Sequence, residues 1–186
     1  MATERRKRLF NVYEYHRMVD AGILREGDRV ELIRGEILEM SPIGPRHNAA
    51  VMRGNKSLGR IVGDRAIVGV QGSIRFDEWN EPQPDLYLLR PKDDFYASGL
   101  ATPSDVFLII EVADSTLEYD RTVKAALYAI TGIPEYWVAD IQAQNIIAYS
   151  DAEGDIYQTI REFTRGQTLV PRLLPGCTIP ADALLP

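Results

Sequence analysis

The chain has 186 residues, 45% of them hydrophobic, with 27 acidic against 21 basic residues and a net charge of −6. That length supports a core without disulfide or metal staples. The acidity excludes a protein that holds nucleic acid by bulk electrostatics, though not one that meets phosphate through a local basic patch and a bound metal.

Met1–Arg8 ends in the basic run Arg5–Arg8 and lacks the apolar stretch of a signal peptide. Residues 1–8 are therefore expected as a solvated basic tail ahead of one domain over residues 9–186. Asn11 with Glu14 three places on reads as a capping box opening a short helix through Tyr15, Met18 and Val19, stopped at Gly22. Val30–Ile33 and Glu36–Met40 flank Arg34-Gly35 as a tight hairpin. A loop at Ser41–Pro45 leads to a second helix over His47–Val62. Ala66–Val70 and Ser73–Phe76 read as strands bent at Gln71-Gly72, followed by the polar loop Asp77–Pro84. Asp85 then opens the apolar run Leu86–Leu89. After a loop at Asp93–Ser104 comes Val106–Ala113, rich in β-branched and aromatic residues, the pattern of a strand buried on both faces.

Ser115 with Glu118 reads as a second capping box. Its helix is expected to run to Thr131, with Val123, Leu127 and Ile130 facing the core. Tyr136–Asp140 and Asn145–Tyr149 are further strands, and Tyr157–Phe163 is an edge strand after the turn Glu153-Gly154. Cys177 is the sole cysteine, so a disulfide framework and a thiolate metal site are excluded. No run approaches the ~18 apolar residues that span a membrane, and a cytoplasmic setting is expected. The order of elements predicts a mixed α/β fold around one central sheet.

Glu111 sits inside the most apolar stretch of the chain. Burying a carboxylate there is costly unless a cation, a basic side chain or a raised pKa compensates. Asp85 stands at the mouth of another apolar strand, and two strands delivering carboxylates to one sheet rim would suit a hard divalent cation. Lys124, on the helix after the Glu111 strand, has a stem long enough to reach that rim. The trio suits hydrolysis of a phosphoryl group: the acids hold Mg²⁺, and the lysine orients a water and offsets developing charge. Of the hairpin acids, Glu31 is preferred over Glu36 as a third acidic member, since one face of each strand looks inward.

Pro84-Asp85 followed by Glu111-Val112-Ala113 resembles the PD-(D/E)XK nuclease signature. The block from Glu111 to Asp140, with Lys124, Tyr128, Gly132, Ile133, Pro134, Glu135, Tyr136 and Trp137, is similar to the Uma-two family of restriction-endonuclease-like proteins. So are Glu31–Glu36, Ser41-Pro42, Gly44-Pro45 and His47. The resemblance implies a restriction-endonuclease-like core, a central mixed β-sheet flanked by helices, and Mg²⁺-dependent hydrolysis of phosphodiester bonds in nucleic acid, DNA first, with Mn²⁺ as a substitute. It places Asp85, Glu111, Lys124 and His47 in the catalytic site and Asp85, Glu111 and Glu31 on the metal. The signature wants lysine two places after the second acid, where this chain has Ala113; the family implies that Lys124 replaces it from the next helix.

Each assignment has a plainer alternative: a turn cap for Asp85, an arginine salt bridge for Glu111, a solvated position for Lys124, a helix cap for His47. Tyr128 is expected to pack on the Lys124 stem, and Trp137 and Tyr136 to be core or interface. A homodimer would offer two sites to a duplex. The competing expectation is a nuclease fold without turnover, acting as a nucleic-acid-binding or regulatory module.

Overall fold

In the computed structural model the described residues are 7–25 and 27–186. Most of the expected basic tail, residues 1–6, lies outside them; Lys7 is bonded to Glu36 at 3.1 Å. Among the described residues no helix is long and apolar enough to cross a membrane.

Helix α1 (Val12–Asp20) starts on the expected capping box, Asn11 accepting from Glu14 N and the Glu14 carboxylate accepting from Asn11 N. Strands β1 (Val30–Ile33) and β2 (Glu36–Glu39) close through Arg34 and Gly35, at φ 53° and 76°. Two consecutive positive φ values match the twist of a two-residue hairpin. Helix α2 (Pro45–Val62) has Gly44 as its N-cap and a proline in its first turn.

The central sheet has six strands in the order β3-β4-β5-β6-β7-β8: β3 (Ile67–Val70), β4 (Leu86–Leu89), β5 (Val106–Ala113), β6 (Glu135–Asp140), β7 (Asn145–Glu153) and β8 (Ile156–Thr164). Only the β5–β6 pairing is parallel. A parallel pair needs a crossover, and it is supplied by α3 (Leu117–Tyr119), a π-helical turn (Asp120–Lys124) and α4 (Ala125–Ile130), which follow one another without a break. The alternation along β5 sorts the core: Leu108, Ile110 and Val112 pack with α2 on one face, and Ile109 and Ala113 with α4 on the other. Glu111 shares the parity of Ile109 and Ala113, so its side chain emerges under the crossover helix.

Three sequence expectations are corrected. Ser73–Phe76 forms no strand; Ile74 and Phe76 are buried, but their amides bond Pro82 O and Asn80 O in a local loop. Here apolar alternation secured burial without a ladder. The capping box at Ser115 does not form: the N-cap is Thr116, whose hydroxyl donates to the buried Asp120 carboxylate at 2.6 Å. Ile130 is 64% exposed while Lys124 and Tyr128 are buried. The five-residue π turn adds a residue to the helix and shifts the inward face off the simple 3.6-residue phase.

Trp137 and Tyr136 are fully buried core residues, so Trp137 presents no face to a second copy. The C-terminal segment, not assigned to any element from sequence, adds β9 (Thr168–Leu169) and β10 (Ile179–Pro180). It buries Cys177, Leu184 and Leu185 in the cluster beneath α2. Where α2 crosses that cluster, a Cβ on Gly54 would lie 2.6 Å from Leu86 Cδ1 and 2.9 Å from Leu184 Cδ2. Gly54→Val is expected to lower stability by about 1–3 kcal/mol, the usual cost of overpacking, as read by urea unfolding; an unchanged midpoint would mean the helix slides freely.

Candidate active site

The β4–β5 register dictates the meeting of the two acids. Leu86 pairs with Ile110, so one step further Asp85 stands across from Glu111. The two are linked through backbone: Asp85 N donates to Glu111 Oε2 at 3.2 Å, and Val112 N donates to Asp85 Oδ2 at 2.9 Å. From the crossover helix Lys124 Nζ donates to Glu111 Oε1 at 2.9 Å and lies 3.4 Å from Glu31 Oε2. From the first turn of α2, His47 Nε2 meets Asp85 Oδ2 at 2.9 Å. The structure thus brings together Asp85, Glu111, Lys124, His47 and Glu31, while Glu36 stands apart with Lys7. They border a cavity of about 490 Å³, roofed by the β2–α2 loop.

Four residues had no site role in the sequence reading. Tyr128 donates to Glu111 Oε1 at 2.7 Å. Its ring is held edge-on to Tyr136, with centroids 4.8 Å apart, so more than packing is involved. Gln71 donates to Asp85 Oδ1 at 3.2 Å. Asp120 is buried beside the cavity, and the Tyr119 hydroxyl is buried there without a partner. The available signal was spacing: Asp120, Lys124 and Tyr128 recur at four-residue steps, one helical face. Nothing local marks Gln71, whose placement follows from the chain's return into β4.

The electrostatics are those of crowded acids. Glu31, Asp85, Glu111 and Asp120 are each at most 6% exposed, against the single buried ammonium of Lys124. Burial, reinforced by Asp85, Asp120 and Glu31 and opposed by Lys124, pushes the Glu111 carboxyl up to about 8. Burial likewise lifts Asp120 to about 6 despite Lys124 and Thr116. Asp85 moves the other way: burial would raise it, but hydrogen bonds from His47, Val112 and Gln71 outweigh burial and hold it below its ordinary value. Burial would also lower Lys124, yet Glu111, Glu31 and Asp120 hold its ammonium well above the usual lysine value. Of the three compensators available to Glu111, the fold supplies two, a basic side chain and a raised pKa.

Excess negative charge, all-oxygen acidic donors and two unpartnered polar atoms on one cavity, His47 Nδ1 and Tyr119 Oη, fit a hard divalent cation. Among the described residues no three His, Cys, Asp or Glu side chains are arranged to grip an ion by themselves. Lys124 stands between Glu31 and Glu111. The fit is therefore to an ion such as Mg²⁺, which keeps several waters and needs only one or two carboxylates.

A raised carboxyl stabilises the fold below its unfolded value, about 4 for an aspartate or glutamate, and loses that contribution as pH climbs through its folded value. Through Glu111 and Asp120 the metal-free protein should accordingly melt at a lower temperature at pH 8 than at pH 5.5. Mg²⁺, which competes with those protons, should raise the melting temperature more at pH 8. Scanning calorimetry with and without Mg²⁺ checks this; an Mg²⁺ effect larger at pH 5.5 would contradict it.

A six-stranded mixed central sheet with helices packed on it is a nuclease-like fold. The chain belongs to the Uma2 family, described as "Putative restriction endonuclease", whose model matches residues 12–182. The crystal structure of a putative nuclease belonging to DUF820 from Anabaena variabilis is similar to it with a TM-score of 0.67 and 16% identity, over 88% of this chain and 94% of that one. At that identity the likeness is one of fold. No curated protein matches the chain.

Proposed function

We propose that residues 9–186 act as one cytoplasmic, metal-dependent endonuclease domain that hydrolyses phosphodiester bonds of nucleic acid, DNA first. One observation carries this reading: Asp85 and Glu111 face each other across adjacent strands, with Lys124 at 2.9 Å, on a cavity holding more buried acid than base. Asp85 and Glu111 would hold Mg²⁺, or Mn²⁺ in its place, with Glu31 as the third acid of the metal site. When bound there, the ion supplies a water of lowered pKa and polarises a phosphoryl oxygen. Lys124 offsets charge growing on the phosphoryl group. His47 faces an ionised Asp85, so its Nε2 carries the hydrogen and Nδ1 is left as the base for a water proton. The buried Tyr119 hydroxyl, without a partner on the same cavity, would donate to a phosphoryl oxygen. Two copies would present two sites to a duplex, and the exposed Ile156 and Ile160 on edge strand β8 are the surface that suits such pairing.

The test is incubation with DNA and RNA in Mg²⁺, Mn²⁺ or chelator, with mass measured in parallel. Cleavage that needs the metal supports the reading; cleavage untouched by chelator sinks it. The alternative, a silent nuclease-fold module that binds nucleic acid, is favoured by Ala113 in the signature's lysine position and by the lock of Lys124 between Glu31 and Glu111. Metal-dependent binding without cleavage on any substrate would select it.

A further inference from the structure

The charge of this acidic chain is unevenly placed. From Met40 to Gly63 there is no acidic residue, although the whole chain has 27 in 186. That interval contains α2, and α2 carries Arg46, Arg53, Lys56 and Arg60, all exposed. On a helix turning 100° per residue these four fall within an arc of about 80°. The opposite side buries Val51, Gly54, Leu58 and Val62, and His47, on that buried side, reaches Asp85. Arg46 is steadied by Ile141 O at 2.7 Å and Arg53 by Leu185 O at 3.1 Å. Lys56 and Arg60 have no hydrogen-bond or ion-pair partner among the described residues.

We infer that this stripe is a backbone track for nucleic acid, carrying a strand's phosphates along α2 toward the cavity at its N-terminal end. The partner's identity rests on the nuclease reading; the stripe itself does not. From Arg46 to Arg60 the helix rises about 21 Å, the axial length of roughly six base pairs at 3.4 Å each. Four cations along that length can follow a phosphate line. A helix side with cations and no acids, on a protein of net charge −6, concentrates attraction for a polyanion where the overall charge repels it. The stripe reads no sequence, since phosphate contacts position the backbone and do not discriminate bases.

The test compares the wild type with Lys56→Gln/Arg60→Gln and with a control of equal charge change elsewhere, Lys92→Gln/Arg161→Gln. Glutamine is a good helix former, so α2 should persist, and an unchanged melting temperature verifies it. Binding of a labelled DNA duplex is followed by fluorescence anisotropy with Ca²⁺ in place of Mg²⁺, across a salt series. Hydrolysis of bis(p-nitrophenyl) phosphate, too small to reach the stripe, is measured with Mg²⁺. The α2 variant should bind roughly 50-fold more weakly at 0.1 M salt, with the salt slope reduced by about 2. Its small-diester hydrolysis should be unchanged, and the control should bind like wild type.

Equal binding by wild type and α2 variant would overturn the track and leave the nuclease reading standing. So would a wild type that hydrolyses the small diester yet binds no duplex. A wild type that binds through the stripe but hydrolyses neither substrate would keep the track and remove the nuclease reading.

Discussion

Lys124→Met is expected to reduce metal-dependent hydrolysis by about 10²–10³-fold, the scale for losing one group aimed at transition-state charge. The same change should destabilise the protein, and more at pH 8 than at pH 6. Methionine keeps the stem's volume but removes the one ammonium standing between Glu111 and Glu31, at 2.9 and 3.4 Å. Breaking a buried pair leaves an uncompensated charge, with a typical cost of about 3–5 kcal/mol. Glu111, already raised to about 8, can escape that cost at low pH by taking a proton, and its carboxyl should rise further without Lys124. Stabilisation by Mg²⁺ should survive, because the acids remain, and this separates lost chemistry from lost metal binding. Urea unfolding at both pH values, calorimetry with Mg²⁺ and a cleavage assay together decide. A variant that cuts normally would remove Lys124 from the site.

Asp85→Asn should have the complementary signature: loss of both hydrolysis and the Mg²⁺-induced rise in melting temperature. Hydrolysis should fall by more than about 100-fold, the upper end for merely supporting a metal ligand. Asparagine matches the carboxylate in shape, and its oxygen in the place of Oδ2 can still accept from both Val112 N and His47 Nε2, so the fold should survive. What disappears is the negative charge that a divalent ion needs. Because Asp85 is held below its ordinary value by His47, Val112 and Gln71, its ionised form contributes stability above about pH 4 that is lost as pH falls through its folded pKa. The variant should therefore differ from wild type at pH 7 and converge with it in strong acid. Retention of the full Mg²⁺ response would move the ion elsewhere.

The elements that could be read from sequence were those whose cause is local. The capping box at Asn11–Glu14, the Arg34-Gly35 turn and the apolar run Val106–Ala113 each depend on neighbours a few positions away, and each stands as expected. Ser73–Phe76 failed because alternation reports burial and not the presence of a ladder partner. The second capping box failed because Thr116 serves Asp120, a buried acid whose demand arises only once the helix is packed.

By itself, the sequence determined the class of the fold and which acid had to matter, because an ionisable group in a strand buried on both faces must find compensation. It could not determine what compensates. The register that sets Asp85 against Glu111, the π turn that carries Lys124 and Tyr128 inward, and the meeting of Glu31 with that lysine join residues that are well separated in sequence, by 13 positions for Lys124 and Glu111 and by 26 for Asp85 and Glu111. Distances across a sheet come from hydrogen-bond pairing between strands, and pKa values come from which charges then share a cavity. Both arise only when the chain has closed on itself.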